Sequence, residues 1–286
     1  MKNKAIKLSF FAFTAVTLLF SGCNNKENKP VSENTQKPQF VTVKDSVETE
    51  IYDGMISMDY PTEGTKDFIT SVRGWIKERI SANPYEESKK IADMTANQDD
   101  AKAVAHYYMM NKIPQDIDKE EMLSMKEMEM KYSCDESIQV TLQGENLTSI
   151  INTEEIYIGG AHGSYLLYAA VFDNQSGKMY GLDMVKDTNK IKSYILDGLM
   201  EYFSVGSKDE LMDVLFVKDK STIPLSQTTP YFFEEGLAIV YNQYEIAPYA
   251  AGLPSVTITW DKLQEVLTEE VIAKISSEIK KYSNKK

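Results

Sequence analysis

Two cysteines, two histidines, two tryptophans and nine prolines are all that 286 residues hold of those types. Two cysteines build no disulfide framework, and two histidines leave little material for a histidine-rich metal site. Basic residues are also scarce: 31 Lys and Arg face 43 Asp and Glu, a net charge of −12. Such a chain lacks the basic face that neutralises phosphates, which excludes nucleic acid as a partner. Cationic partners suit it better. Long apolar runs are missing too. The stretch Leu8 to Phe20 is 13 residues (8 to 20 inclusive), against the roughly 20 that a membrane-spanning helix needs. What is present is a 42% hydrophobic content, enough for a real core and incompatible with disorder throughout.

The first residues read as an address. Lys2, Lys4 and Lys7 precede the apolar run, which ends in Leu19-Phe20-Ser21-Gly22-Cys23. That pattern is a secretory signal in outline. Its end resembles the lipobox of bacterial lipoproteins, in which the cysteine is diacylated and becomes the new N-terminus. Phe20 stands where leucine is more usual, and an ordinary signal with an incidental cysteine is the alternative. The expectation is a signal peptide over residues 1–22, lipidation at Cys23, and export to the periplasmic or extracellular face of the cell envelope. Removing residues 1–22 takes away three lysines and no acid, so the mature charge becomes −12 − 3 = −15. Acyl chains contribute about 0.8 kcal/mol per buried methylene, enough to anchor without a protein span. With Cys23 acylated, Cys134 has no intramolecular disulfide partner.

Residues 23–39 are polar and proline-containing, and are expected to form a flexible tether. Beyond them the pattern divides into an N-terminal subdomain, 40–150, and a C-terminal one, 151–286. Phe40–Val43 and Glu50–Asp59 read as strands, the second closed by Pro61. Phe68, Ile69, Val72, Trp75, Ile76 and Ile80 form one helical stripe between Thr65 and Ala82. A second helix is expected from about Pro84 to Asn111, with the proline in its first turn. A third spans Asp118–Met130, its methionines serving as core filler. The period then changes. Ser133–Leu142, Leu147–Tyr157 and Ser164–Asp173 read as strands, Asn189–Phe203 and Lys208–Phe216 as helices. Tyr231–Phe233, Gly236–Tyr241 and Ser255–Trp260 read as closing strands. The tail, with Leu263, Leu267, Val271, Ile275 and Ile279 spaced by four, reads as one amphipathic helix. Partly segregated strands and helices with hairpin-type turns predict an α+β fold of antiparallel sheets with packed helices.

Catalytic patterns are absent: there is no G-x-S-x-G, H-E-x-x-H, P-loop or G-x-G-x-x-G after a strand. The sequence does not read as an enzyme, and no cofactor or metal is expected. Cys134 with His162 would be a thiol–imidazole pair, but a cysteine in a strand-like segment reads as a small buried hydrophobe. His106, beside Tyr107 and Tyr108, reads as structural.

Two segments stand out. Ile158-Gly159-Gly160-Ala161-His162-Gly163-Ser164 joins two strands, and its glycines permit positive φ or close backbone approach. His162 is displayed there, either for a ligand or to bond a neighbouring carbonyl. Tyr241 to Gly252 (YNQYEIAPYAAG) leaves one strand and enters the next. Its tyrosines and proline make a stiff amphipathic surface of the kind that anchors partners, or else a loop packed over the core.

GGAHG followed by a strand, and Tyr-Glu-Ile-Ala-Pro-Tyr-Ala-Ala-Gly followed by a strand, resemble the envelope domain pair of RsiV-type anti-sigma factors. The same pair precedes the catalytic domain of PdaC-type peptidoglycan deacetylases. The resemblance spans roughly residues 40–262. It implies an extracytoplasmic α+β module that, in RsiV-type proteins, grips lysozyme across its active-site cleft. It also implies ligand-binding roles for Gly159, Gly160, His162, Gly163, Tyr244, Glu245, Pro248, Tyr249 and Gly252. The chain is expected to do without the cytosolic sigma-binding segment, the membrane span and the deacetylase domain, with a lipid tether in their place.

Three functions follow as expectations. The first is a lipid-anchored envelope protein that binds a cationic lysozyme-like muramidase or a cell-wall glycan. The second is an enzyme of wall polymers using His162 with an acidic residue. The third is a structural envelope lipoprotein.

Overall fold

A computed structural model describes residues 37–83, 90–94, 98–115, 117–217 and 223–283. The export signal, Cys23, residues 24–36 of the tether, and Pro84 lie outside the described residues.

Strands β1 (Gln39–Glu48) and β2 (Tyr52–Glu63) form an antiparallel hairpin. The second strand continues through Pro61 rather than ending there. Its ladder to the next strand has already stopped at Met58, and its register to β1 shifts at Phe40. Those are places where a residue without an N–H is tolerated.

Helix α1 (Lys66–Ile80) begins where Thr65 accepts the Phe68 N–H, and it buries Phe68, Val72, Trp75, Ile76 and Ile80. Helix α2 (Ala101–Asn111) is shorter than its pattern predicts. The Asp100 carboxylate accepts the N–H groups of Lys102 and Ala103 and so sets its start. Further upstream, Lys90 bridges Ala82 and the Ile91 N–H bonds Ser81 O, which is extended pairing instead of helix. Helix α3 (Lys119–Glu127) buries only Met125; Met128 is exposed, so the methionines are not a core stripe.

These three helices carry the chain from β2 to β3 (Tyr132–Gln143), which pairs with it in parallel. It is one parallel pair in an otherwise antiparallel sheet, and a crossover of this length is what parallel pairing requires. Strands β4 (Leu147–Tyr157), β5 (Ser164–Asp173) and β6 (Met179–Tyr180) follow antiparallel, completing a six-stranded sheet in sequential order. Residue 150 lies inside β4, so this sheet continues across the division expected there.

One sheet face packs on the first helices. Ile56, Met58, Ile138, Ile150 and Phe172 bury against α1 and α2, and Phe172 receives the ring edges of Phe68 and Trp75. The other face carries a three-stranded antiparallel sheet of β7 (Tyr231–Phe233), β8 (Gly236–Val240) and β9 (Ser255–Thr259). Leu167 and Ala169 meet Ala238 and Val240 across that seam. Side chains of the larger sheet also bond β7 directly: Thr141 Oγ1 donates to Phe232 O and Ser149 Oγ accepts the Phe232 N–H.

Helices α4 (Thr188–Phe203) and α5 (Lys208–Val214) cover the smaller sheet. Gly198 lets α4 approach closely, since a Cβ there would lie 2.5 Å from Val256 Cγ1. The tail is three helices, α6 (Leu263–Val266), α7 (Glu269–Lys274) and α8 (Ser276–Ser283), in place of one. Leu267 is extended and bridges Val185, the Thr268 N–H bonds Met184 O, and the Thr268 hydroxyl caps α7. The spacing of four still delivers Leu263, Leu267, Val271 and Ile275 to the core. The fold is thus α+β with antiparallel sheets and packed helices. Among the described residues no helix is long and apolar enough to cross a membrane.

Candidate functional site

The Tyr241–Gly252 segment is fastened before it presents anything. Tyr241 is fully buried, with its hydroxyl on Pro224 O and its N–H on Pro254 O. Ile246 and Ala247 are buried, and Ile246 O accepts the Phe216 N–H. Strand β5 pairs with β4 along one edge, while β6 covers only Val171 and Phe172 on the other. The open part of that edge is filled by side chains from the segment. Asn242 Oδ1 accepts the Leu167 N–H at 2.8 Å, Asn242 Nδ2 donates to Leu167 O at 3.0 Å, and Gln243 Oε1 accepts the Tyr165 N–H at 2.9 Å. Backbone groups on the open edge find partners in this way, and the Thr228 hydroxyl also donates to Leu167 O at 3.1 Å.

Glu245 is engaged as well. Its two oxygens accept the N–H groups of Gln227 and Asn242. This carboxylate therefore braces the loop from within, rather than being free for a ligand.

The glycine loop meets this segment from β4 and β5. Gly159 and Gly160 adopt φ of 92° and 88°, values that suit glycine. Tyr157 donates its hydroxyl to Gly160 O, and the His162 Nδ1 lies 2.9 Å from Gly163 O. A carbonyl only accepts, so Nδ1 carries a proton. Tyr244 Oη lies 3.3 Å from His162 Nε2.

The two motifs converge on one three-ring face. His162 stacks on Tyr249 with centroids 3.9 Å apart and planes at 25°. Tyr244 closes the group, 6.0 Å from Tyr249 and 6.4 Å from His162. It does so from a left-handed backbone, φ 65°, unusual for a residue with a side chain. Tyr244 is 56% exposed; His162 and Pro248 are also exposed, and Tyr249 is half-buried. Tyr202 of α4 supports the far end, donating its hydroxyl to Ala251 O beside Gly252, whose φ is 70°. Neither ring nitrogen of His162 faces a carboxylate in these contacts. The arrangement therefore offers an aromatic surface, and the described ring-nitrogen contacts of His162 are Gly163 O and the Tyr244 hydroxyl.

Cys134 belongs to a different, buried cluster. Its thiol lies 3.8 Å from both Lys112 Nζ and Glu154 Oε1, and Lys112 also contacts Glu136. Burial pushes the thiol up to about 12, Lys112 opposing in part, so it stays protonated. Burial also pushes Glu154 up. For Lys112 burial disfavours the charge, but Glu136, Cys134 and Glu154 outweigh it and hold the ammonium protonated. Cys134, Glu136 and Glu154 converge as metal ligands would, yet they converge on a lysine that already supplies positive charge. His106 bonds Asp45 at 2.8 Å on the surface. A separate cleft of about 300 Å³ is lined by Tyr60, Ile69, Arg73, Met94 and Tyr108, apart from the aromatic face.

Sequence reasoning named both motifs but missed Asn242 and Gln243 as edge caps, Tyr202 as a brace, and the Lys112 cluster. The paired amides directly after β8 were the available signal for the caps.

A family model described as a protein of unknown function, DUF3298, matches residues 183–261. That span holds α4, the smaller sheet and the tyrosine segment, while the Gly159–Ser164 loop lies outside it. No curated protein matches the chain. A DUF3298-family crystal structure from Bacteroides fragilis NCTC 9343 has a TM-score of 0.61 at 19% identity, over 86% of this chain and 100% of that one. A DUF3298-family protein from Pseudomonas aeruginosa PAO1 has a TM-score of 0.53 at 12% identity, over 82% of this chain and 95% of the other. These likenesses concern the fold, and the chain is similar to DUF3298 proteins at that level.

Proposed function

We propose that this protein is an exported, lipid-anchored binding protein of the bacterial cell envelope, with a module of the RsiV type. Its aromatic face holds a cationic lysozyme-like muramidase. The observation that carries this reading is the stacking of His162 on Tyr249 under Tyr244, exposed and fixed from beneath. Rigid aromatic groups supply contact area at low entropic cost, which is the usual character of interface hot spots. The expected mature charge of −15 (−12 − 3) favours a cationic partner by steering its approach.

Calorimetry with several lysozymes at low and moderate salt tests the proposal, with soluble peptidoglycan fragments as the second arm. The expected result is lysozyme binding that weakens with salt and is lost in Tyr249→Ala. Binding to fragments alone would move the reading to a wall glycan. No binding to either would leave the face as architecture. Metabolic labelling with a fatty-acid analogue, compared between the native chain and Cys23→Ser, tests the anchor.

A further inference from the structure

The cleft of about 300 Å³ takes its walls from β2, α1 and α2 and shares no residue with the aromatic face. Its volume is at the lower end of small-molecule sites, which run roughly 300–1,000 Å³. Two features mark it as more than a packing gap.

The first is Gly74, inside α1 and on the wall of the cleft. A glycine within a helix is destabilising relative to alanine. Close packing on Val256 accounts for Gly198 in α4, but a Cβ at Gly74 would have no atom within 4 Å. The missing side chain therefore serves no close approach; it leaves open space at the cleft.

The second is a pair of cations. Arg73 and Lys77 both line the cleft, one helical turn apart. Arg73 is held from one side: its guanidinium lies 4.9 Å over the Tyr60 ring, and Nη2 donates to Pro61 O at 3.1 Å. Its Nη1 meets Asp99, and Lys77 Nζ meets Asp93 at 3.0 Å. Those two carboxylates are 96% and 63% exposed. Ion pairs so exposed contribute little, so both cations are readily transferred to a ligand. Tyr108, also on the wall, is 2% exposed, and its hydroxyl donates to no acceptor among the described residues. Unmet buried donors are rare, and this one suits a ligand that carries acceptors.

We propose that this cleft binds a small organic carboxylate with an apolar or aromatic body. The carboxylate lies on Arg73 and Lys77, and the body lies against Tyr60, Ile69 and Met94. The planar guanidinium matches a carboxylate with two parallel N–H donors, which a neutral amide cannot engage as strongly.

Ligand-observed NMR titration of the purified full chain tests this, with N-acetyl-tryptophan as the probe and N-acetyl-tryptophanamide as its neutral counterpart. The acid is expected to bind, and the amide to bind roughly tenfold or more weakly. Arg73→Gln should weaken the acid by a similar factor and leave the amide unchanged. Gly74→Leu should abolish binding of both while melting no lower than the native chain, because the helix gains and no atom is displaced. Tyr249→Ala should leave the titration as it is. The proposal is overturned if the acid does not bind, if acid and amide bind alike, or if Arg73→Gln binds the acid as the native chain does. Binding lost in Tyr249→Ala would place the probe on the aromatic face and overturn it equally.

Discussion

Asn242 reads both backbone groups of Leu167, accepting its N–H at 2.8 Å and donating to its carbonyl at 3.0 Å. A side-chain amide thus takes the place of a neighbouring strand. The same residue fixes where the tyrosine segment lies relative to β5, and hence where Tyr249 meets His162. Replacing Asn242 with Ala takes the acceptor from the Leu167 N–H, while Leu167 O keeps the Thr228 hydroxyl at 3.1 Å. The expected cost is about 1–3 kcal/mol in urea denaturation, and partner binding should weaken although every ring remains.

Tyr244 and Tyr249 should separate stability from recognition. Tyr244 is mostly exposed, so Tyr244→Ala is expected to shift folding by under about 1 kcal/mol. Loss of either ring should cost about 2 kcal/mol or more of binding, some thirtyfold in Kd. Calorimetry and melting curves on the same two variants compare the quantities directly. Equal losses of stability and binding would argue for a packed loop.

The Cys134 thiol is buried and its ionisation is pushed up to about 12. A maleimide should leave it untouched in the folded protein at pH 7–8 and label it fully in denaturant. Labelling rates followed across a urea series should track global unfolding.

Asp173 gives a signed pH dependence. Burial raises its pKa, but the Lys274 ammonium and the Ser176 and Gln175 groups outweigh that and hold it below the ordinary range. A folded value below the unfolded one means that its contribution is complete above roughly pH 4–5 and lost as pH falls through the folded value. Asp173→Asn should therefore be less stable than the native chain at pH 7, by about 1–3 kcal/mol. The gap should close towards pH 2, as read from denaturation midpoints.

Much of the architecture was legible from local pattern. Alternating or continuous apolar runs located β3, β4, β5 and the three short strands of the smaller sheet, of which β8 is buried along its whole length. The stripe of α1 was equally plain. What escaped depends on distant residues. The tail helix breaks because Leu267 pairs with Val185, a contact that local periodicity does not encode. The second helix starts at Asp100 because a capping carboxylate stands there, whereas the proline at 84 suggested an earlier start. Both site motifs were recognisable, but their meeting was not, since it follows from the open edge of β5. Glu245 was expected at a ligand, and its carboxylate instead accepts two backbone N–H groups.

The last helices reach back to the middle of the chain. Glu278 accepts the Glu145 N–H, Asn146 donates to Lys274 O, and Lys274 pairs with Asp173. The β3–β4 turn is therefore latched by residues 128 and 133 positions further along the chain. A ribosome adds about 5–20 residues per second, so the growing polypeptide carries an unlatched sheet for several seconds after β3 and β4 have been made. Changes in α7 and α8 therefore act on the centre of the molecule.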